Sequence, residues 1–220
     1  MNYLVYILLI YLIPLISYIT LVNLYKKQDE VDNKKEHSGL EIAREILDNN
    51  KLDKVYVIER KGFLTDCYSN KAVKLSTSVY YGESIYAMLL SSYFAVIAMQ
   101  DNKGNQVIKN KIIFDKIFSY IIYAMYIILL IGICIKDESF IKLSFLLLII
   151  SIIYKIIASM IDSKTIKIAI EKLKELEYID NKNYEEINNL SKKVNHFNMA
   201  GIIICLSDLF YKLKDIISNR

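Results

Sequence analysis

The first 25 residues, Met1 to Tyr25, carry no charged side chain. As a helix, a run of that length crosses the roughly 30 Å hydrocarbon layer of a bilayer. It is expected to stay as a membrane helix and not to be cleaved as a signal. No basic segment precedes it, no small-residue cleavage site follows it, and Lys26-Lys27 stand directly behind it. Pro14 falls mid-run, where a membrane helix tolerates it. A second charge-free run covers Ile117 to Ile135, Lys136-Asp137-Glu138 make a turn, and a third apolar run goes from about Phe140 to Met160. Lys155 lies inside the third run, close enough to its end to snorkel. A last apolar stretch, Met199 to about Leu213, is interrupted by Asp208 and carries Lys212, Lys214 and Arg220 at its far end. A full span would take those charges outward, so this stretch is expected as a membrane-embedded or amphipathic helix packed on the others.

The lysines give an orientation. Lys26, Lys27, Lys34 and Lys35 follow the first run, Lys109, Lys111 and Lys116 precede the second, and Lys164, Lys167, Lys172 and Lys174 follow the third. The turn at Lys136 is poorer in positive charge. The positive-inside bias predicts a multi-pass cell-membrane protein with its N-terminus outside and residues 26–116 and 162–198 in the cytoplasm. Over all 220 residues, 28 Lys+Arg stand against 24 Asp+Glu, a net charge of +4. With no basic tract, that balance excludes a nucleic-acid footprint. Membrane lipid is the partner that the apolar runs require.

Residues 26–37 mix charges of both signs and read as a solvated linker. Ser38-Gly39-Leu40-Glu41 is a capping-box pattern, in which the Ser hydroxyl accepts from the third amide and the Glu reaches back to the cap. Leu40, Ile42, Ile46 and Leu47 give the next helix an apolar stripe, and Asn49-Asn50 end it. Three short strands are expected at Val55–Ile58, Leu64–Tyr68 and Val73–Leu75, with turns at Lys61-Gly62 and Ser69-Asn70. The simplest arrangement of them is an antiparallel β-meander, covered on one face by a helix from about Glu83 to Gln100. Beyond the third run, Asp162 to about Lys193 reads as two charged amphipathic helices broken near Asp180-Asn181.

Several words of the chain form a set: Ser38-Gly-Leu-Glu-Ile-Ala-Arg-Glu-Ile-Leu-Asp48, Leu64-Thr-Asp66 followed by Tyr68, and Leu75-Ser76 with Val79-Tyr80, Gly82, Ser84-Ile85 and Ala87. Together with the apolar runs, the set resembles the bacterial neutral zinc metallopeptidases of the membrane, the YugP-like family. The similarity extends from about Ser38 to the C-terminus, the first run matching in type only. It implies a zincin-like cytoplasmic part whose long helix carries His-Glu-x-x-His. In that motif two His one turn apart bind zinc, and the Glu activates the bound water.

In this register Tyr93 and Ile97 stand at the two His positions and Phe94 at that of the Glu, followed by Ala98-Met99-Gln100. The family's third ligand is a Glu just after the third span. Matching back from Ala169-Ile170-Glu171-Lys172-Leu173 puts Asp162 there, with Lys167 and Ile168 at two Arg positions. Cys67 replaces a His of the family's Leu-Thr-Asp-His-Tyr-Asp strand. Asp162 also reads as a helix-start carboxylate beside Ser163 at a membrane exit.

Few residues remain from which another metal site could be built. His37 is expected to be solvated in the linker, and His196 to make a polar contact at the membrane interface before the last helix. Cys67 falls on the second strand, Cys134 near the outer end of the second run and Cys205 in the last helix, with no Cys-x-x-Cys pair. Gly-x-Ser-x-Gly, Gly-x4-Gly-Lys-Ser/Thr and Gly-x-Gly-x-x-Gly are all absent.

The expected fold is an α+β membrane protein with three transmembrane helices, a fourth apolar C-terminal helix and a small cytoplasmic zincin-like part. Its segments are a transmembrane helix over 1–25, the linker over 26–37 and the α+β part over 38–111. A transmembrane hairpin follows over 112–160, then charged cytoplasmic helices over 161–198 and the membrane-associated helix over 199–220. The expected function is that of a pseudoenzyme without resident zinc, which binds a substrate, another membrane protein or an active paralogue. The alternatives are an active membrane zinc metallopeptidase with an unconventional site and a non-enzymatic anchor subunit. Tyr93, Phe94 and Ile97 are expected to be buried.

Overall fold

The computed structural model describes residues 5, 12, 14–23, 37–62, 64–179, 184–194 and 200–204. The linker over 26–36, the break at Asp180-Asn181, His196, Cys205, Asp208 and most of the first and last apolar stretches lie outside the described residues. The elements are α1 (Pro14–Asn23), α2 (Gly39–Asn49), β1 (Tyr56–Arg60), β2 (Cys67–Ser69), β3 (Ala72–Ser76), α3 (Thr77–Tyr80), α4 (Ile85–Asn102), α5 (Gln106–Ile135), α6 (Glu138–Glu175) and α7 (Tyr184–Val194). Residues 200–204 are also helical. The chain divides into two units, one of Met1–Leu21, Ile113–Ser159 and His196–Arg220, the other of Val22–Ile112 and Met160–Asn195.

The second unit is built around α4. Every residue of α4 from Ile85 to Met99 is buried, so it is a core helix apolar on all sides and not a one-faced cover. Its buried Ser91 and Ser92 donate to carbonyls of their own helix, Met88 O at 3.1 Å and Leu89 O at 2.9 Å. Ser84 caps its start by accepting from Ala87 N. Helix α2 packs on α4 through the expected stripe, with Ile42, Ile46 and Leu47 at most 1% exposed. The capping box is present in both directions between Ser38 and Glu41, and the helix ends at Asn49 as expected.

The sheet is mixed, in the order β1-β3-β2, and not the antiparallel meander expected from the sequence. β1 pairs parallel to β3, and β2 pairs antiparallel to it. β3 is the most buried strand and takes the centre, where both its edges are bonded; β1 is largely exposed and takes an edge. The expected second strand begins late because Leu64 has a φ of 56°, outside the β region. The loop after β1 passes the C-terminal end of β3, since Arg60 is in register with Ser76 and Asp66 accepts from Ser76 N at 2.6 Å. β2 then returns on the far side, and Asn70 and Lys71, both at positive φ, close a two-residue hairpin into β3.

Helices α5 and α6, which contribute Ile113–Ile135 and Glu138–Ser159 to the first unit, are each long and apolar enough to cross a membrane, and only 28% of each apolar window is buried inside the protein. A soluble core helix would bury most of such a window, so the remaining apolar surface needs a non-aqueous neighbour. Lys136, at φ 58°, turns the chain between them, and Asp137 Oδ1 accepts from Ser139 N at 2.8 Å at the start of α6. Lys155 does not snorkel: it is 8% exposed, 3.6 Å from Asp115 Oδ1, and Tyr154 Oη donates to that same oxygen at 2.8 Å. Residues 200–204 pack here too, Ile202 joining Ile122, Met125, Tyr126 and Leu148 in one apolar cluster.

Candidate functional site

Tyr93, Phe94 and Ile97 lie on α4 and are 6%, 5% and 4% exposed, which meets the expected burial. The rings of Tyr93 and Phe94 meet edge to face with centroids 4.8 Å apart. Asp162 is not at a helix start. The third apolar run and the charged helix after it are one helix, α6, since no Gly or Pro interrupts Glu138–Glu175. Asp162 sits in its interior and is 3% exposed.

A buried carboxylate needs hydrogen bonds and a counter-charge to stay in place. Tyr93 Oη donates to Asp162 Oδ1 at 2.5 Å, and Lys111 Nζ on α5 lies 3.1 Å from the same oxygen. Tyr93, at a position the resemblance assigns to a zinc-binding His, thus contributes a hydroxyl. Lys111, expected as one of the charges that set orientation, is 7% exposed, and its charge serves Asp162. Ile108, three residues earlier on α5 and 1% exposed, marks the face as buried, which the lysine itself does not reveal in sequence.

The strand side holds a second polar cluster. Asp66, 4% exposed, accepts from the Ser76 backbone N–H and from the Ser76 hydroxyl at 3.0 Å. Burial pushes its carboxyl up to about 6, against the pull of the Ser76 bonds and of the Arg60 charge. Cys67 is half-buried on β2, 3.4 Å from Arg60 Nη1. Tyr68 Oη donates to Asp101 Oδ2 at 2.8 Å, and burial and that carboxylate both push the phenol up. Cys134 is exposed at the end of α5.

His37 is not simply solvated. Its Nδ1 lies 2.5 Å from Tyr178 Oη, which donates to Glu45 Oε2 at 2.5 Å, so the ring nitrogen is the donor in the first bond. Tyr178 comes back to α2 because α6 closes with Glu177 in the left-handed region and Tyr178 N bonded to Leu173 O. Burial and Glu45 push the Tyr178 phenol up. The structure therefore joins Tyr93 to Asp162 and brings Lys111 to them, and ties His37 to Tyr178. Among the described residues, no three His, Cys, Asp or Glu side chains gather as a metal site.

The family described as "Putative neutral zinc metallopeptidase" matches residues 3–215. The chain belongs to that family. It is similar to the "Putative membrane protease YugP" of Bacillus subtilis (strain 168), at 38% identity over 92 residues, which cover 40% of this chain and 41% of that protein. The matched stretch is thus less than half the length of that relative. No solved structure matches the chain.

Proposed function

We propose that this chain is a membrane-anchored, non-catalytic member of the zinc metallopeptidase family that acts by binding a substrate or a second membrane protein. One observation carries the reading: Tyr93 and Asp162, two positions that the resemblance assigns to zinc, bond to each other, and Asp162 also holds Lys111. A hydrolytic zinc site takes about three protein ligands and leaves one position open for water. Of the four family positions only Asp162 carries a carboxylate, and one of its oxygens already receives an ammonium and a phenol. Phe94 has no group that could take a proton from a metal-bound water. This donor set does not fit a zinc ion.

The membrane anchor in this reading is the α5–α6 pair, supported by its length, its apolar surface and the membrane-protease name of the Bacillus subtilis relative. The N-terminus lies outside and the residues around α4 face the cytoplasm. The test is elemental analysis of the full chain, purified in mild detergent, beside a peptide-library cleavage assay. The expected result is zinc far below one per chain and no cleavage. One zinc per chain together with cleavage, both lost in Asp162→Ala, would establish an active membrane metallopeptidase with an unconventional site, the alternative that the family description favours.

A further inference from the structure

We infer that Lys111 is a built-in cation of this fold, its ammonium holding the Asp162 carboxylate and, through it, α4, α5 and α6 where a zincin would use a bound metal. The inference rests on the functional reading above and adds to it a residue and a role. The three side chains come from three helices, each at most 7% exposed, and converge on one atom, Asp162 Oδ1. A carboxylate so far from water needs a positive charge nearby. A dication needs several ligands around it, and Tyr93, Phe94 and Ile97 do not provide them. An ammonium on a flexible stem needs fewer partners, because its charge is single and compact and arrives already tethered. The aliphatic stem of Lys111 is itself accommodated in the apolar interior beside the helix face of Ile108.

The test is chemical rescue. Lys111→Ala removes three methylenes and the ammonium, leaving a space matched by n-propylammonium beside an anionic wall. In the full chain, kept in mild detergent, this substitution should lower the unfolding temperature by about 10 °C. Added n-propylammonium chloride should restore a saturable part of that loss, while tetramethylammonium chloride at equal ionic strength should not. Neither salt should selectively stabilise the native protein. Should Lys111→Ala fail to fold, Lys111→Met/Asp162→Asn carries the test, because removing both charges should give a protein more stable than Lys111→Met or Asp162→Asn alone. An unfolding temperature for Lys111→Ala equal to the native one, or a loss that n-propylammonium leaves untouched, would overturn the inference. So would a double variant no more stable than the weaker single. A native chain free of zinc whose Lys111→Ala variant loses no stability or is not rescued sinks the clamp and spares the functional reading. One zinc per native chain, with the Lys111→Ala loss rescued as expected, sinks the functional reading alone.

Discussion

Asp66 is the residue whose burial has the clearest consequence for solution behaviour. Its carboxyl is pushed from an ordinary 3.8 up to about 6, with burial the largest cause. Between about pH 4 and pH 6 the folded chain keeps a proton there that the unfolded chain has released. Stability from this group is therefore present at acid pH, falls as pH rises through that window and levels off above it. The change is on the order of 3 kcal/mol over the window, at about 1.4 kcal/mol per pH unit. Asp66→Asn stays neutral throughout and lacks this slope. Thermal unfolding of both proteins in detergent at pH 4.5 and 7.5 should show the native chain losing stability relative to Asp66→Asn as pH rises. Parallel profiles would mean that the Asp66 proton is not held in the folded state.

At the scale of elements, Gly39 sets how closely α2 can approach α3, and Gly82 how tightly the chain turns after α3. Gly39 N donates to Gly82 O at 2.9 Å. A Cβ on Gly39 would stand 2.1 Å from Val79 O, and one on Gly82 would stand 2.2 Å from Ser78 O. Both obstacles are backbone, which cannot swing aside. Gly39→Ala should therefore destabilise by roughly 3 kcal/mol, the upper part of the overpacking range. Gly104 offers the contrast, with a φ of 80° and nothing within 4 Å of an added Cβ. Gly104→Ala should cost only the left-handed backbone preference, about 1 kcal/mol. Unfolding midpoints of the two variants should fall in that order, and equal losses would place the strain in the backbone and not in the close approach.

For the molecule as a whole, the consequence is topological. Helix α6 has 38 residues, about 57 Å at 1.5 Å per residue, well beyond a hydrocarbon layer of about 30 Å. Its buried Asp162 follows the exposed apolar residues that end at Met160. With Lys111 committed to Asp162, the positive-inside bias before the charge-free part of α5 rests on the exposed Lys109 and Lys116. A cysteine label inserted at Asp137-Glu138 should react from outside intact cells, and a reporter fused after Lys174 should read as cytoplasmic. Labelling of the insertion only after the membrane is opened would reverse the proposed orientation.

The sequence by itself determined what depends on near neighbours. The capping box of Ser38 and Glu41, the stripe of α2, its end at Asn49 and the two long apolar helices each follow from residues within a turn or a run. The family words were legible for the same reason, and the family match over residues 3–215 agrees with them. Tertiary structure decided what depends on distant partners. The order β1-β3-β2 follows from burial of β3 and from Asp66 fixing the loop to Ser76, neither of which strand propensity encodes. Tyr93 and Asp162 are 69 residues apart, and only the packing of their helices makes a phenol, an ammonium and a carboxylate one buried cluster. A charge reads the same in sequence whether it faces water or a buried partner, so the role of Lys111 appears only where α5 places it.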